Sequence, residues 1–352
     1  MDLYSTLFKK ILFLFEPETA HKLALKALNL AHKFKLISLL TGASFINDSV
    51  QIAGLNFKNK LGIAAGLDKN GDYIAALASL GVGFIEIGTV TPLPQRGNPK
   101  PRLFRLKDYE AIINRMGFNN KGIDYLVNNV KKYRAKTDKQ YQAIIGINIG
   151  KNFDTPLDKA TEDYLACFEK AYNHADYICI NISSPNTKNL RDLQQQDYLS
   201  KLLSALTQKQ KDLSSEYNRK VPLALKIAPD LTDEQIKQIS ELCYHYQIDI
   251  IIATNTTIED KLLYDIKGQK TAGGLSGKPL LQKSNHIISR LLFFNKELEG
   301  SGHNVSIIGV GGISSADDAQ SKFTCGADLI QVYSGLIYQG PSLINNILIN
   351  KK

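Results

Sequence analysis

Residues 176–186 read DYICINISSPN, and the fold turns on how this stretch divides. Tyr177 to Asn181 is a short apolar run, the length of one strand and too short for a helix. It stops at an amide. Ile182 to Asn186 then brings two hydroxyls, a proline and a second amide, which is loop chemistry. The same division recurs from residue 61 onward: an apolar, β-branched run, a loop rich in Gly, Asn, Thr and Ser, then a helical stretch. The runs are LGIAA (61–65), FIEIG (84–88), AIIGIN (143–148), YICIN (177–181), LALKI (223–227), DIIIAT (249–254), SIIGV (306–310) and DLIQV (328–332). Short continuous runs alternating with helices signal parallel strands buried on both faces, and eight units in about 280 residues is the size of a (β/α)₈ TIM barrel. An open doubly wound sheet accommodates the same runs, but no early Gly-x-Gly-x-x-Gly opens a βαβ unit. The expectation is the barrel.

Barrels of this kind build their sites at the carboxyl ends of the strands. Polar residues gather at those ends: Ala65-Gly66-Leu67-Asp68-Lys69-Asn70, Thr89-Val90-Thr91-Pro92, Asn148-Ile149-Gly150-Lys151-Asn152, the NISSPN loop, Lys226-Ile227-Ala228-Pro229-Asp230, Thr254-Asn255-Thr256-Thr257, Gly309-Val310-Gly311-Gly312 and Tyr333-Ser334-Gly335. One Asn or Lys at a strand end is ordinarily a turn former or a cap. Eight polar ends together mark one mouth as a binding site.

The chain of 352 residues is 43% apolar with a formal charge of +9, which fits a globular protein drawn to anionic partners. The lysines are scattered instead of interleaved with aromatics in a block, so no nucleic-acid partner is expected. No apolar run approaches the ~18 residues of a transmembrane helix. Cys167, Cys179, Cys243 and Cys325 lie far apart without CxxC spacing and read as buried, reduced thiols of a cytosolic compartment. The six histidines are dispersed, so no metal is expected. The N-terminus carries neither a secretory signal nor an organelle transit pattern.

Residues 1–45 stand apart from the barrel, which is assigned 46–352. LFKKILFLF (7–15) and TAHKLALKALNLAHKFKLISLL (19–40) place apolar residues at helical spacing around Pro17, with Lys9, Lys10, Lys22, Lys26, Lys33 and Lys35 available for a polar face. Such a pair either caps the bottom of a barrel or lies on an anionic membrane surface.

Loops after the last strands of such barrels commonly hold phosphate. GVGGISSADDA (309–319) suits this, with Gly311 and Gly312 permitting close backbone approach and Ser314 or Ser315 capping the next helix. TAGGLSG (271–277) reads as a second glycine-rich loop. Lys69 and Lys226 are the cations of the mouth, among Asn114, Asn119, Asn148, Asn181, Asn186 and Asn255, amides suited to a planar heterocycle. No histidine lies in these loops, so a base-activated nucleophile is missing. A mouth with lysines, amides and a phosphate grip leaves the hard chemistry to an organic cofactor.

The ordered motifs IAAGLDKNG, IEIGTVTPLPQRGNPKPRLFRL, NRMGFNN, GINIGKN, NISSPNT, KIAPDL, ATNTT, GGLSGKPL, IIGVGGI and QVYSG resemble those of the class 2, quinone-linked dihydroorotate dehydrogenases, along the whole chain. The resemblance implies an FMN-containing barrel that oxidises dihydroorotate to orotate in pyrimidine biosynthesis and passes electrons to a membrane quinone. It implies FMN contacts from Ala65, Gly66, Lys69, Thr89, Asn148, Asn181, Lys226, Thr254, Gly277, Gly311, Gly312, Tyr333 and Ser334. It implies substrate contacts from Lys69, Asn114, Arg115, Met116, Gly117, Phe118, Asn181, Asn186, Asn255 and Thr256. Ser184 becomes the catalytic base, where soluble relatives use cysteine. His21, Arg105 and Tyr333 match the quinone channel. The N-terminal helices become a membrane-surface quinone entry on the cytoplasmic face of a bacterial inner membrane, on a monomer. The rival readings are another FMN barrel, such as a dihydropyrimidine or dihydrouridine reductase, and a peripheral membrane-binding module.

Overall fold

The computed structural model describes residues 8–37, 48–264, 271–298 and 303–350, so parts of the expected extension (1–7 and 38–45) lie outside the described residues. Its strands, in chain order, are β1 (Val50–Ile52), β2 (Leu55–Phe57), β3 (Leu61–Ile63), β4 (Phe84–Val90), β5 (Leu103–Leu106), β6 (Ala111–Asn114), β7 (Ile144–Ile149), β8 (Tyr177–Asn181), β9 (Leu223–Ile227), β10 (Ile250–Ala253), β11 (Gly274–Gly277), β12 (Ser306–Val310) and β13 (Leu329–Val332). The described α-helices are α1 (Lys9–Leu12), α2 (Pro17–Lys33), α3 (Ile74–Ala78), α4 (Ile123–Lys136), α5 (Ala160–Tyr172), α6 (Gln196–Tyr217), α7 (Asp233–His245), α8 (Leu281–Leu298), α9 (Ala316–Thr324), α10 (Ser334–Gln339) and α11 (Ser342–Ile349).

The eight runs read from the sequence are the eight barrel strands. They close in the order β3-β4-β7-β8-β9-β10-β12-β13, all parallel, with β13 pairing back to β3. Burial on both faces explains why they read as continuous apolar runs: every residue of β4, β8, β9 and β12 is buried. The register sets Asn181 beside Lys226 and Gly88 beside Asn148, so their polar ends share one level of the barrel. Helices pack the outside through amphipathic faces. On α7, for example, Ile236, Ile239 and Cys243 are buried, and Thr232 and Gln235 form a capping box at its start.

The lower interior is apolar, with Phe57, Phe84, Ala224, Ile250, Ile252, Ile308 and Leu329 in one cluster. The antiparallel hairpin β1-β2 closes this end, driving Phe57 edge-on against Phe84 with ring centroids 5.2 Å apart. The barrel bottom is therefore plugged by a hairpin and not by the N-terminal helices. Those helices pack at the mouth end, where α2 meets β5 and α3. Pro17 opens α2 at its first position, and the Glu16 side chain accepts from Glu18 N–H and Thr19 N–H. Glu18 is buried and accepts two bonds from the Arg102 guanidinium, at 2.9 and 3.0 Å.

A second sheet was not legible as strands. β5, β6 and β11 pair antiparallel over the mouth, with Gly274 opposite Asn114 and Leu103 opposite Asn114 on the other side. TAGGLSG is thus half strand and not a plain loop. Its glycines suppressed the strand signal, yet a Cβ on Gly274 would stand 1.9 Å from Thr256 Oγ1. Cys167, Cys179 and Cys243 are buried free thiols, whereas Cys325 is partly exposed.

Candidate active site

A cavity opens at the carboxyl ends of the strands, enclosing about 980 Å³ of space free of protein atoms, part of it open to solvent. From the predicted flavin set, Ala65, Gly66, Lys69, Thr89, Asn181, Lys226, Thr254, Gly277, Gly311, Gly312, Tyr333 and Ser334 line it. From the predicted substrate set, Asn114, Met116, Gly117, Phe118, Asn186, Asn255 and Thr256 do, together with Ser184. Asn148 stands just behind the wall, fully buried; Thr89 Oγ1 donates to its Oδ1 at 2.5 Å, and Asn181 Nδ2 donates to the same oxygen at 3.2 Å. Arg115 turns away from the cavity, donating to the Pro101 carbonyl and lying over the Phe104 ring. Asn119, counted among the amides of the mouth, is also outside the wall.

The NISSPN loop has one serine facing inward to protein and one facing the cavity. Ser183 is fully buried; its hydroxyl donates to Asn181 Oδ1 at 3.0 Å and accepts from Asn255 Nδ2 at 3.1 Å. Ser184 lines the cavity, and its Oγ accepts only a long bond from the Asn186 N–H at 3.3 Å. Asn186 Nδ2 in turn donates to Asn114 Oδ1 at 3.2 Å, joining this loop to the cover sheet. Thr187 lies near Ser184 in sequence, and its buried Oγ1 has no protein partner.

Arg191 holds this loop in place. Its guanidinium donates to the Ser183 carbonyl at 3.0 Å, the Thr256 carbonyl at 2.7 Å and Asp230 Oδ2 at 2.8 Å, tying together the loops after β8, β9 and β10. Sequence reasoning missed Arg191, since a lone arginine in a polar stretch carries no signal until the three loops meet.

Lys69 donates to the Gly66 carbonyl at 2.8 Å and borders the cavity. Burial pushes its pKa down to about 8, with Glu18 opposing that shift and Arg102 adding to it. Across the same loop, burial and then the Lys69 charge push His21 down to about 4. Tyr333 stands on the other side of the loop, its ring 3.3 Å from where a Cβ of Gly66 would be; Gly66 has φ +101, so the position requires glycine twice over. Burial raises the Tyr333 phenol to about 12. Arg105, the third predicted quinone residue, donates to the carbonyls of Leu12 and Phe15 and lies 4.5 Å from the Phe13 ring centroid, so it binds α1 to β5.

At the phosphate-type loop, Ser315 caps α9 by accepting from the Asp318 N–H at 3.1 Å, while Ser314 donates to the Asp318 carboxylate. Gly312 has φ +82, and a Cβ there would meet Leu281 at 2.4 Å. The floor of the cavity was also missed: Gln331 lines it, and Glu86 lies beneath, fully buried and bonded to Lys226, Asn148, Tyr177 and Gln331. Its signal was a single polar residue inside an apolar run.

A closed parallel barrel with two lysines, a ring of amides and a glycine turn at its mouth, and no histidine or thiol in the cavity wall among the described residues, is built like the barrel enzymes that work through a bound organic group. The chain belongs to the dihydroorotate dehydrogenase family, whose model matches residues 48–350. It is 52% identical over 344 residues to a dihydroorotate dehydrogenase (quinone) of Buchnera aphidicola subsp. Schizaphis graminum, covering 98% of each chain. It is likewise 52% identical over 338 residues to the Chromobacterium violaceum protein of that name, covering 96% of this chain and 94% of that one. The crystal structure of DHODH in complex with ferulenol from Eimeria tenella superposes with a TM-score of 0.81 at 35% identity, over 94% of this chain and 89% of the other.

Proposed function

We propose that this chain oxidises dihydroorotate to orotate in pyrimidine biosynthesis, with FMN as the first electron acceptor and a membrane quinone as the second. The observation that carries the reading is Ser184: a hydroxyl in the wall of a lysine- and amide-lined cavity, while its neighbour Ser183 is sealed in protein. The relatives named above support the substrate and the quinone.

The cavity suits FMN. Thr256 Oγ1 and Gln331 Oε1 are buried polar atoms in the lining residues without protein partners, as expected where a polar heterocycle completes the bonding. Thr89, Asn148, Asn181 and Lys226 would hold the ring, and Gly277, Gly311, Gly312 and Ser334 the phosphate side, with Ala65, Gly66, Thr254 and Tyr333 between. FMN, when bound, supplies the acceptor for the hydride that leaves the carbon bearing the substrate carboxylate.

Ser184 takes the proton from the carbon beside the C4 carbonyl. An unaided hydroxyl is a poor base, so the step needs a relay. Thr187, three residues on, has a buried Oγ1 without a protein partner and is the threonine this reading assigns to the relay, through water. Lys69, Asn114, Asn186, Asn255 and Thr256 hold the carboxylate and ring edges, and Lys226 balances negative charge that develops beneath the ring. Arg115 stands outside this set: its N–H donates to the Arg102 carbonyl and its own carbonyl accepts from Asn98 Nδ2, so it braces the segment that carries Asn114 and Met116.

The quinone enters between α1, α2 and the barrel, past His21 and Arg105 toward Tyr333. Ile11, Leu14, Phe15, Leu30 and Phe34 are exposed on these helices, with Leu14 at 84%, beside the basic face. No described helix is long and apolar enough to cross a membrane. The pair lies instead on the anionic cytoplasmic leaflet of a bacterial inner membrane, each well-placed lysine contributing up to about 1 kcal/mol. The working unit in this reading is the monomer.

The test is an anaerobic titration. The purified protein should be yellow, bleach with dihydroorotate, and recover its colour with quinone but not with NAD or fumarate. A colourless protein, or colour that dihydroorotate leaves intact, refutes the reading.

A further inference from the structure

We propose that Glu86 is a positioning residue that fixes the Lys226 ammonium at the cavity floor and, through it, sets the reduction potential of the bound flavin. The inference rests on the FMN reading above.

The interior of a parallel barrel is ordinarily filled by branched apolar side chains. Here one layer is polar. Glu86 is fully buried and takes four donors on two oxygens. Oε1 accepts from Lys226 Nζ at 3.3 Å and Asn148 Nδ2 at 2.8 Å; Oε2 accepts from Tyr177 Oη at 3.1 Å and Gln331 Nε2 at 2.8 Å. Below this layer lie Phe84, Ile250, Ile252 and Leu329, and above it Lys226 and Gln331 face the cavity.

Taking a lysine and a glutamate out of water is costly, and apolar residues of like volume would serve stability as well. The pair therefore points to a use at the cavity. Every donor Glu86 holds is an element of the floor or its direct support. The carboxylate, carried by β4, reaches donors on four other strands, β7, β8, β9 and β13. It cancels part of the Lys226 charge as the flavin above senses it, and it prevents the lysine chain from choosing another rotamer.

Glu86→Gln removes the negative charge and leaves the shape. The holoenzyme should then bind reduced flavin at least tenfold more tightly relative to oxidised flavin than the wild type does, a rise of about 30 mV in the two-electron midpoint potential. Glu86→Asp, which keeps the charge, should restore most of the wild-type potential. In a Lys226→Met background, Glu86→Gln should shift the potential less than it does alone, since the lysine through which Glu86 acts is gone; an equal shift in both backgrounds overturns the positioning role. If Glu86→Gln fails to fold, Tyr177→Phe replaces it: the carboxylate keeps its charge and loses one donor, so the midpoint potential should move by a smaller amount in the opposite direction, and an unchanged potential overturns the inference. A wild-type protein that holds FMN while the folded variant keeps its potential overturns this inference alone. A wild-type protein that holds no flavin overturns the functional reading instead.

Discussion

Lys69 offers the sharpest test of the site, because its burial disfavours its own charge. Burial sets its pKa at about 8, against an ordinary lysine near 10.4. At about 1.4 kcal/mol per unit, the charged form costs the folded protein ~3 kcal/mol. The sign follows from proton counting: between pH 8 and about 10.4 the unfolded chain holds the proton and the folded chain does not, so stability rises with pH across that window and the cost is present below it. An anion at Lys69 reverses this by favouring the charged form. Orotate carries such a carboxylate, so at pH 8 its binding to the holoenzyme should take up about half a proton, and its Kd should rise about tenfold from pH 7 to 9 as Lys69 discharges. Isothermal titration calorimetry in two buffers of different ionisation enthalpy measures the uptake directly. Lys69→Met should bind weakly at every pH and take up no proton. Proton-neutral binding at pH 8 with a flat affinity profile refutes the placement of the carboxylate at Lys69.

Ser184→Ala should keep FMN and orotate binding yet lose most flavin reduction at neutral pH, with Ser184→Cys partly active; stopped-flow bleaching at the wild-type rate in the alanine variant removes Ser184 as the base. Glu18→Gln leaves Arg102 buried without its partner, a loss of about 3 kcal/mol concentrated at the α2–β5 contact. Reoxidation by a long-tailed quinone should slow while bleaching by dihydroorotate persists, and equal quinone turnover refutes the role of the docked helix. Deleting residues 1–40 should give the same split in stronger form, read by vesicle co-sedimentation and by quinone turnover.

Much of this protein was legible because its barrel obeys a simple pattern. DYICIN and its seven counterparts became strands with ends moved by a residue or two, and every strand end except Asn148–Asn152 gives at least one residue to the cavity wall. Capping was legible too at α9, since Ser315, one of the two serines read as its cap, sits at the helix start. What escaped was backbone pairing without an apolar signature. β11 is GLSG, and its strand character comes from exchange of bonds with β6 and from the close approach of Thr256, neither of which leaves a mark on local sequence. The N-terminal helices were legible as helices, but their place at the mouth rested on Glu18 meeting Arg102, a pair 84 residues apart.

The polar floor shows why such misses fall at functional places. Glu86 in FIEIG, Lys226 in LALKI and Gln331 in DLIQV each interrupt an apolar run once, and each alone reads as tolerable noise in a strand. Closure of the barrel converts the three interruptions into one bonded cluster, because Lys226 on β9 and Gln331 on β13 both donate to the Glu86 carboxylate on β4. A fold selected for stability alone gains nothing from a carboxylate there, so local rules fail together at that layer for one reason. The general signal is coincidence: single polar residues at inward positions of several strands of one barrel mark its working end. By the same logic Ser184 needs no strong base beside it in sequence. Its surroundings are assembled by closure, with Arg191 fixing the loop backbone and Asn186 joining it to the cover sheet, and the chemistry of a weak base depends on that placement.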